Sequence, residues 1–148
     1  MLKVGDKAPD FSLPNQHGET VTLSALLAGG ELALYFYPAD FTPVCTAEAC
    51  AFRDKYVELR AADANVVGIS PQSVASHQRF ADRYDIPFSL LFDGDKKVIR
   101  AYGVDGPFGI GVRRVTYRIG ADGVIRDRVV SDFFVNGHLD LVKGMAAR

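Results

Sequence analysis

Cys45 and Cys50 are the only two cysteines in 148 residues, and they stand five positions apart in Pro38-Ala39-Asp40-Phe41-Thr42-Pro43-Val44-Cys45-Thr46-Ala47-Glu48-Ala49-Cys50. A cysteine does its chemistry as the thiolate, which attacks electrophiles, exchanges with disulfides and binds metals. The surrounding chain favours that form at Cys45. Leu32-Ala33-Leu34-Tyr35-Phe36-Tyr37 reads as a buried strand. Phe52, Tyr56, Leu59 and Arg60 recur at helical spacing. Cys45 therefore falls where a strand ends, a loop turns and a helix begins. Thr42 is a candidate N-cap and Pro43 suits the first turn. Free backbone N–H groups and the positive end of the helix dipole stabilise a thiolate there. Thr42 can turn its hydroxyl into the same concavity, and Pro38 at the strand exit can shield the sulfur from bulk water. A thiolate so placed is nucleophilic and can be oxidised to a sulfenic acid. An inert, buried thiol is the alternative for Cys45 taken alone.

The five-residue spacing has a mechanical consequence. Within one helix, positions i and i+5 lie about 7.5 Å apart along the axis and roughly 140° apart around it. Their Cα atoms are then about 8–9 Å apart, beyond the ~7 Å reach of a disulfide. If these cysteines pair, the first turns of the helix must unwind. The spacing also differs from the two-residue gap of thioredoxin-type redox pairs. Zinc needs three or four ligands, and His17, His77 and His138 fall in separate elements, so no metal site and no cofactor is expected.

The rest of the chain supplies a scaffold for this segment. Asn15-Gln16-His17-Gly18 signals a turn in a short N-terminal hairpin. Ser24 reads as the N-cap of a short helix through Leu27. Strands are expected over 31–37, 65–70 and 88–92. Helices are expected from Thr42 to about residue 62 and from Ser73 to Tyr84, where Pro87 stops the second. Val98 to Tyr102 is a short amphipathic segment, and the glycine-rich 103–111 reads as a surface loop. Residues 114–119 and 124–130 flank Gly120-Ala121-Asp122-Gly123 as a hairpin. Asn136 reads as the cap of a last helix with Leu139, Val142 and Met145 inward. Strands alternating with helices and closed by a late hairpin predict a thioredoxin-like α/β fold. Its mixed sheet carries helices on both faces, with the N-terminal hairpin added. No linker divides residues 1–148, so one domain is expected.

A composition of 48% hydrophobic and 24% charged residues is that of a globular protein. The net charge of −1 gives no global attraction to nucleic acid or acidic membranes. No apolar run approaches the ~20 residues that span a bilayer, and the first residues lack a signal-peptide core. A cytoplasmic location, with no nucleic-acid or membrane partner, is the expectation.

Pro38-x-x-x-Thr42-x-x-Cys45 resembles the active-site motif of peroxiredoxins. Thr42-Pro43-Val44-Cys45-Thr46-x-Glu48-Ala49-Cys50-x-Phe52-Arg53-Asp54 resembles the bacterioferritin-comigratory-protein (PrxQ) subfamily. Val4-Gly5-Asp6-Lys7-Ala8-Pro9-Asp10-Phe11 and Arg114-Val115-Thr116-Tyr117 are similar to that family's first segment and its later arginine strand. The resemblance implies a thiol peroxidase acting on hydrogen peroxide or alkyl hydroperoxides. Cys45 would become a sulfenic acid, and Thr42 and the Cys45 N–H would hold the peroxide. Arg114 would stabilise the charge, and Glu48 would orient Arg114. Cys50 would resolve the sulfenic acid to a Cys45–Cys50 disulfide, which thioredoxin or a similar dithiol would reduce. The resemblance further implies a monomer, a dimer being the alternative.

Strand alternation alone does not choose between Arg113 and Arg114; the family pattern chooses Arg114. Arg53 is left as either a partner of the site or an exposed side chain. Asp40 and Phe41 read as loop filler and a hydrophobic wall. Two other functions are weighed: a thioredoxin-type thiol–disulfide oxidoreductase, and a non-catalytic thioredoxin-fold binding domain.

Overall fold

A computed structural model of the protein describes residues 1–147. Its sheet is built around β3 (Glu31–Phe36), the strand that leads to the cysteine segment. β3 pairs in parallel with β4 (Ala64–Ser70) and antiparallel with β6 (Val115–Ile119). β5 (Leu90–Phe92) adds in parallel outside β4, and β7 (Ile125–Val130) adds antiparallel outside β6. The order is β5-β4-β3-β6-β7, a mixed sheet.

Alternation along β3 sends side chains into two separate core layers. Leu32, Leu34 and Phe36 join Ile99, Tyr102, Val115, Tyr117 and Leu23 on one face. Those partners come in part from α1 (Leu23–Leu27) and from α4 (Lys97–Ala101) with its C-cap. Ala33, Tyr35 and Tyr37 point the other way. They meet Cys45, Ala49, Phe52 and Leu59 of α2 (Pro43–Ala61), Phe80 of α3 (Val74–Tyr84) and Leu141, Val142 and Met145 of α5 (Asn136–Ala146). The expected thioredoxin-like fold, a mixed sheet covered by helices on both faces, is thus the observed one. Gly68 is required where β4 passes β3: a Cβ there would lie 2.7 Å from the Tyr35 ring. That space lets Tyr35 pack on Tyr37, Phe52 and Phe88 beneath α2.

The N-terminal hairpin, β1 (Ser12–Pro14) with β2 (Thr20–Thr22), closes through Asn15, whose Oδ1 accepts from the His17 and Glu19 amides. Gln16 then does backbone work. Its Nε2 donates to the Phe88 carbonyl and its Oε1 accepts from the Leu90 amide, both at 2.9 Å. The side chain thus supplies hydrogen bonds at the outer side of β5, an otherwise open edge.

The helix ends differ from expectation. The first helix is capped by Thr22, whose hydroxyl accepts from the Ala25 amide, and not by Ser24. α3 runs to Tyr84 as expected, but Asp85 in the left-handed conformation (φ 52°) ends it, two residues before Pro87. α5 starts after Val135 without a side-chain cap, so Asn136 lies inside the first turn. β5 is shorter than 88–92, and residues 107–109 of the glycine-rich loop form one 3₁₀ turn. The Lys96 ammonium donates to the Gly109 and Gly111 carbonyls and ties that loop down. No helix among the described residues is long and apolar enough to cross a membrane.

Candidate active site

β3 delivers the chain to Pro38, and the loop 38–42 turns it into α2. Pro43 opens that helix, as its fixed φ and missing N–H allow. The first intrahelical bond runs from the Thr46 amide to the Thr42 carbonyl at 2.8 Å, so the Val44 and Cys45 amides lie ahead of the ladder. Cys45 is thus in the first turn, at the positive end of a 19-residue helix, and it is buried. Cys50 lies in the same unbroken helix and is half-buried; both are free thiols. The reduced helix therefore holds them in the geometry that forbids a bond between them.

Arg114 reaches Cys45 from the other side. It sits just before β6, is 3% exposed, and spends its guanidinium on three partners. Nη2 donates to Cys45 Sγ at 3.1 Å, Nη1 to Glu48 Oε1 at 2.8 Å, and Nε to the Asp132 carbonyl at 3.1 Å. A planar fork with fixed donors suits this division; a lysine could not make it. Arg113 points elsewhere, and its Nε meets both carboxylate oxygens of Asp132 at 3.0 Å. That hydrogen bond holds the Asp132 carboxyl below its usual range, against partial burial. The alternation ambiguity is resolved by geometry: Arg114 faces the sulfur and Arg113 braces the loop behind it.

Glu48 stands one helical turn past Cys45, fully buried. Burial pushes its carboxyl up to about 7, with the charge and hydrogen bond of Arg114 working against the rise. Its second oxygen, Oε2, has no hydrogen-bond partner and lies 3.7 Å from His138 Nδ1. His138 belongs to α5. Its Nε2 lies 3.0 Å from the Ser131 carbonyl, which can only accept, so that nitrogen carries the proton. Nδ1 then accepts from the Thr116 hydroxyl at 2.7 Å. Burial pushes the imidazole below its usual range, the Ser131 hydrogen bond opposes this and Arg114 reinforces it, so His138 is neutral. Sequence reasoning weighed His138 only as a zinc ligand, quoted Thr116 only within the arginine strand, and left out Asp132. The available signal was a histidine in register with Leu141, Val142 and Met145 on the inward stripe of α5.

The loop before Cys45 is more constrained than expected. Asp40 is not filler: it is buried and accepts from Tyr37 Oη (2.7 Å) and Ser76 Oγ (2.7 Å), with His77 Nδ1 at 2.8 Å. His77 Nε2 faces the Leu91 carbonyl at 3.1 Å. Burial works to raise the Asp40 carboxyl, but His77, Ser76 and Tyr37 together bring it below its usual range. Next to it, Phe41 adopts φ 66° and lays its ring edge-on against Phe80 at 5.2 Å, a hydrophobic wall as read from the sequence. These contacts fix the loop to α3. Thr42 precedes the helix but does not cap it; its exposed hydroxyl donates to the Ala39 carbonyl at 3.0 Å. Pro38 is half-buried at the strand exit. Arg53 also has a place: its Nη1 donates to the Tyr84 carbonyl at 2.7 Å, tying α2 to the end of α3.

A buried sulfur held by a guanidinium at a helix start, with a second thiol one and a half turns away, can attack an electrophile and be relieved by its neighbour. Comparison with known proteins places this arrangement. The model of the AhpC/TSA family matches residues 4–128. The chain is 44% identical over 149 aligned residues to a putative peroxiredoxin bcp of Coxiella burnetii, covering 97% of each protein. It superposes on the crystal structure of peroxidoxin BcpB from Mycobacterium tuberculosis with a TM-score of 0.92 at 37% identity, over 99% of this chain and 97% of that one. The bacterioferritin comigratory protein of Xanthomonas campestris, studied for its alkyl peroxide reduction activity, gives a TM-score of 0.84 at 32% identity, over 93% and 90% of the two chains. With family, relatives and architecture in agreement, the chain belongs to the AhpC/TSA family, among the peroxiredoxins of the bacterioferritin-comigratory-protein (PrxQ) type.

Proposed function

We propose that this peroxiredoxin reduces hydrogen peroxide and alkyl hydroperoxides at Cys45. The observation that carries the assignment is the 3.1 Å contact of Arg114 Nη2 with Cys45 Sγ, both buried, at a helix start. The cation, the helix dipole and the free amides stabilise the thiolate and then the charge that develops on oxygen. The thiolate attacks the nearer peroxide oxygen and the O–O bond breaks. The electron pair leaves with the other oxygen, which takes a proton to become water or an alcohol. Cys45 is left as the sulfenic acid. Thr42 and the Cys45 N–H hold the peroxide, and Pro38 screens the sulfur.

Cys50 is the resolving thiol. Once the first turns of α2 have opened, its thiolate attacks Cys45 Sγ, the S–O bond breaks, and the departing hydroxide takes up a proton to become water as the Cys45–Cys50 disulfide forms. A dithiol of thioredoxin type returns both thiols, with no cofactor and no metal. A monomer in the cytoplasm, a reducing compartment, fits that cycle.

Treating the reduced protein with about one equivalent of peroxide and counting free thiols tests this. The wild type loses two thiols, Cys45→Ser loses none, and Cys50→Ser stops at a sulfenic acid that a carbon nucleophile traps. Turnover of disulfide substrates without any response to peroxide overturns the reading.

A further inference from the structure

Around Arg114 the site holds one fixed cation and two groups that can be anions, Cys45 and Glu48. All three are buried, at 3%, 1% and 0% exposure. Two anions on one cation would leave a net charge in a dry site, which is costly; one anion leaves none. The unpartnered oxygen shows where a proton is missing. Glu48 Oε2 has no donor, and His138 Nδ1, 3.7 Å away, offers none, because Nε2 keeps the ring proton and Nδ1 already accepts from the Thr116 hydroxyl. Two electron-rich acceptors face one another, and a proton on Oε2 relieves that repulsion.

We propose that Glu48 Oε2 holds a proton whenever Cys45 is a thiolate and releases it when Cys45 becomes the neutral sulfenic acid. His138 acts as the positioning residue, its acceptor Nδ1 standing beside that oxygen and disfavouring the anion there. This rests on the assignment of Cys45 as the reacting thiol. The balance is complete. In the reduced enzyme the charges are thiolate, Arg114 cation and neutral Glu48. Attack on the peroxide passes the negative charge to the leaving alkoxide or hydroxide, which takes up one proton. Cys45 is then neutral, and Glu48 gives up one proton to become the anion that Arg114 needs. Proton uptake by the product and proton release by the site cancel, and Arg114 never lacks a counter-ion. The remaining groups facing Glu48 keep this exchange local. Thr116 from β6 hydrogen-bonds only the imidazole, and Tyr35 from β3 is a phenol that burial, Glu48, Cys45 and Asp40 all keep protonated. Asp132, whose carboxylate also accepts from the Arg114 amide, is held ionised by Arg113, and Asp40 by Ser76 and His77 on α3. Burial sets the carboxyl in the range where the neighbouring charge decides its state.

Infrared difference spectroscopy reads the proton directly, through the C=O stretch of a protonated carboxyl. At a pH of about 8, above the range where Glu48 alone would stay protonated, the reduced wild type shows this band and Glu48→Gln lacks it. Cys45→Ser, which has no thiolate, shows it weakly or not at all. In Cys50→Ser, which stops at the sulfenic acid, one round of peroxide abolishes the band. His138→Phe, which keeps a ring without Nδ1, loses the band at a pH lower by about one unit. Thiols are counted in the same samples. Loss of the Cys45 thiol with an unchanged band overturns the proton exchange and leaves the peroxidase assignment standing. No thiol loss at all overturns the peroxidase assignment itself. An unchanged titration in His138→Phe removes His138 from the proposal.

Discussion

Glu48 makes the folded protein sensitive to pH in a direction opposite to that of most carboxylates. Its carboxyl is raised from an ordinary 4.5 to about 7, chiefly by burial, with Arg114 opposing the rise. The unfolded chain releases this proton near the ordinary value, so between the two values the folded state binds more protons. Stability therefore falls as pH rises through that window. A displacement of this size corresponds to about 3 kcal/mol of stability, fully present below pH ~4.5 and lost above pH ~7. Glu48→Gln is the perturbation that isolates it. The amide keeps an oxygen for Arg114 Nη1 and removes the titration. Both proteins are compared in a Cys45→Ser background, so that only the carboxyl changes charge in the site. Urea unfolding at several pH values gives the stability of each. The expected difference, variant minus wild type, grows by about 3 kcal/mol across the window, with Asp40, Asp132 and His138 contributing equally to both and cancelling. A difference that stays flat, or that shrinks as pH rises, refutes the reasoning that burial outweighs the Arg114 ion pair at Glu48.

The other expectations concern the parts that surround that carboxyl. Arg114→Lys keeps a positive charge but loses the fork that joins Cys45 Sγ, Glu48 and the Asp132 carbonyl. The second-order rate of peroxide reduction, followed by stopped-flow, falls by roughly a hundredfold or more, and a loss of no more than about twofold would show the fork to be dispensable. Asp40→Ala leaves His77 buried without its acid and costs about 3–5 kcal/mol in urea unfolding. Because the Asp40 carboxyl lies below its usual range in the folded state, its contribution is present above the ordinary carboxyl range and fades as pH falls through it; a substitution with no such pH dependence would contradict the pairing. Gly68→Ala places a methyl 2.7 Å from the Tyr35 ring and destabilises by about 1–3 kcal/mol, and an unchanged midpoint would mean that the Tyr35 stack yields freely.

Most of the sheet was legible because β3, β4 and the late hairpin carry unmistakable apolar and turn patterns. Helix ends were less so, since Thr22, Ser24, Thr42 and Asn136 are all good capping types and only tertiary contacts decide which of them cap. The reactive half of the site was legible because it lies in one continuous segment, from Pro38 to Cys50. Its supporting half was not. Asp132, Thr116 and His138 come from elements far along the chain, and each residue type is ordinary where it stands. Asp40 read as filler because its partners, Ser76 and His77, sit on a helix 36 residues later, and a loop acid carries no periodicity to betray burial.

The tie between Arg53 and the Tyr84 carbonyl sets a boundary inside α2. An opening that starts at Pro43 frees residues one after another until it meets Phe52, fully buried against Tyr35, and Arg53, held to the end of α3. From there to Ala61 the helix still covers the sheet. The rearrangement that brings Cys50 to Cys45 is thus a local event with its own small free energy, well short of global unfolding. Turnover then need not expose the main core to aggregation or proteolysis, and the front of the helix wears the whole conformational burden of the cycle.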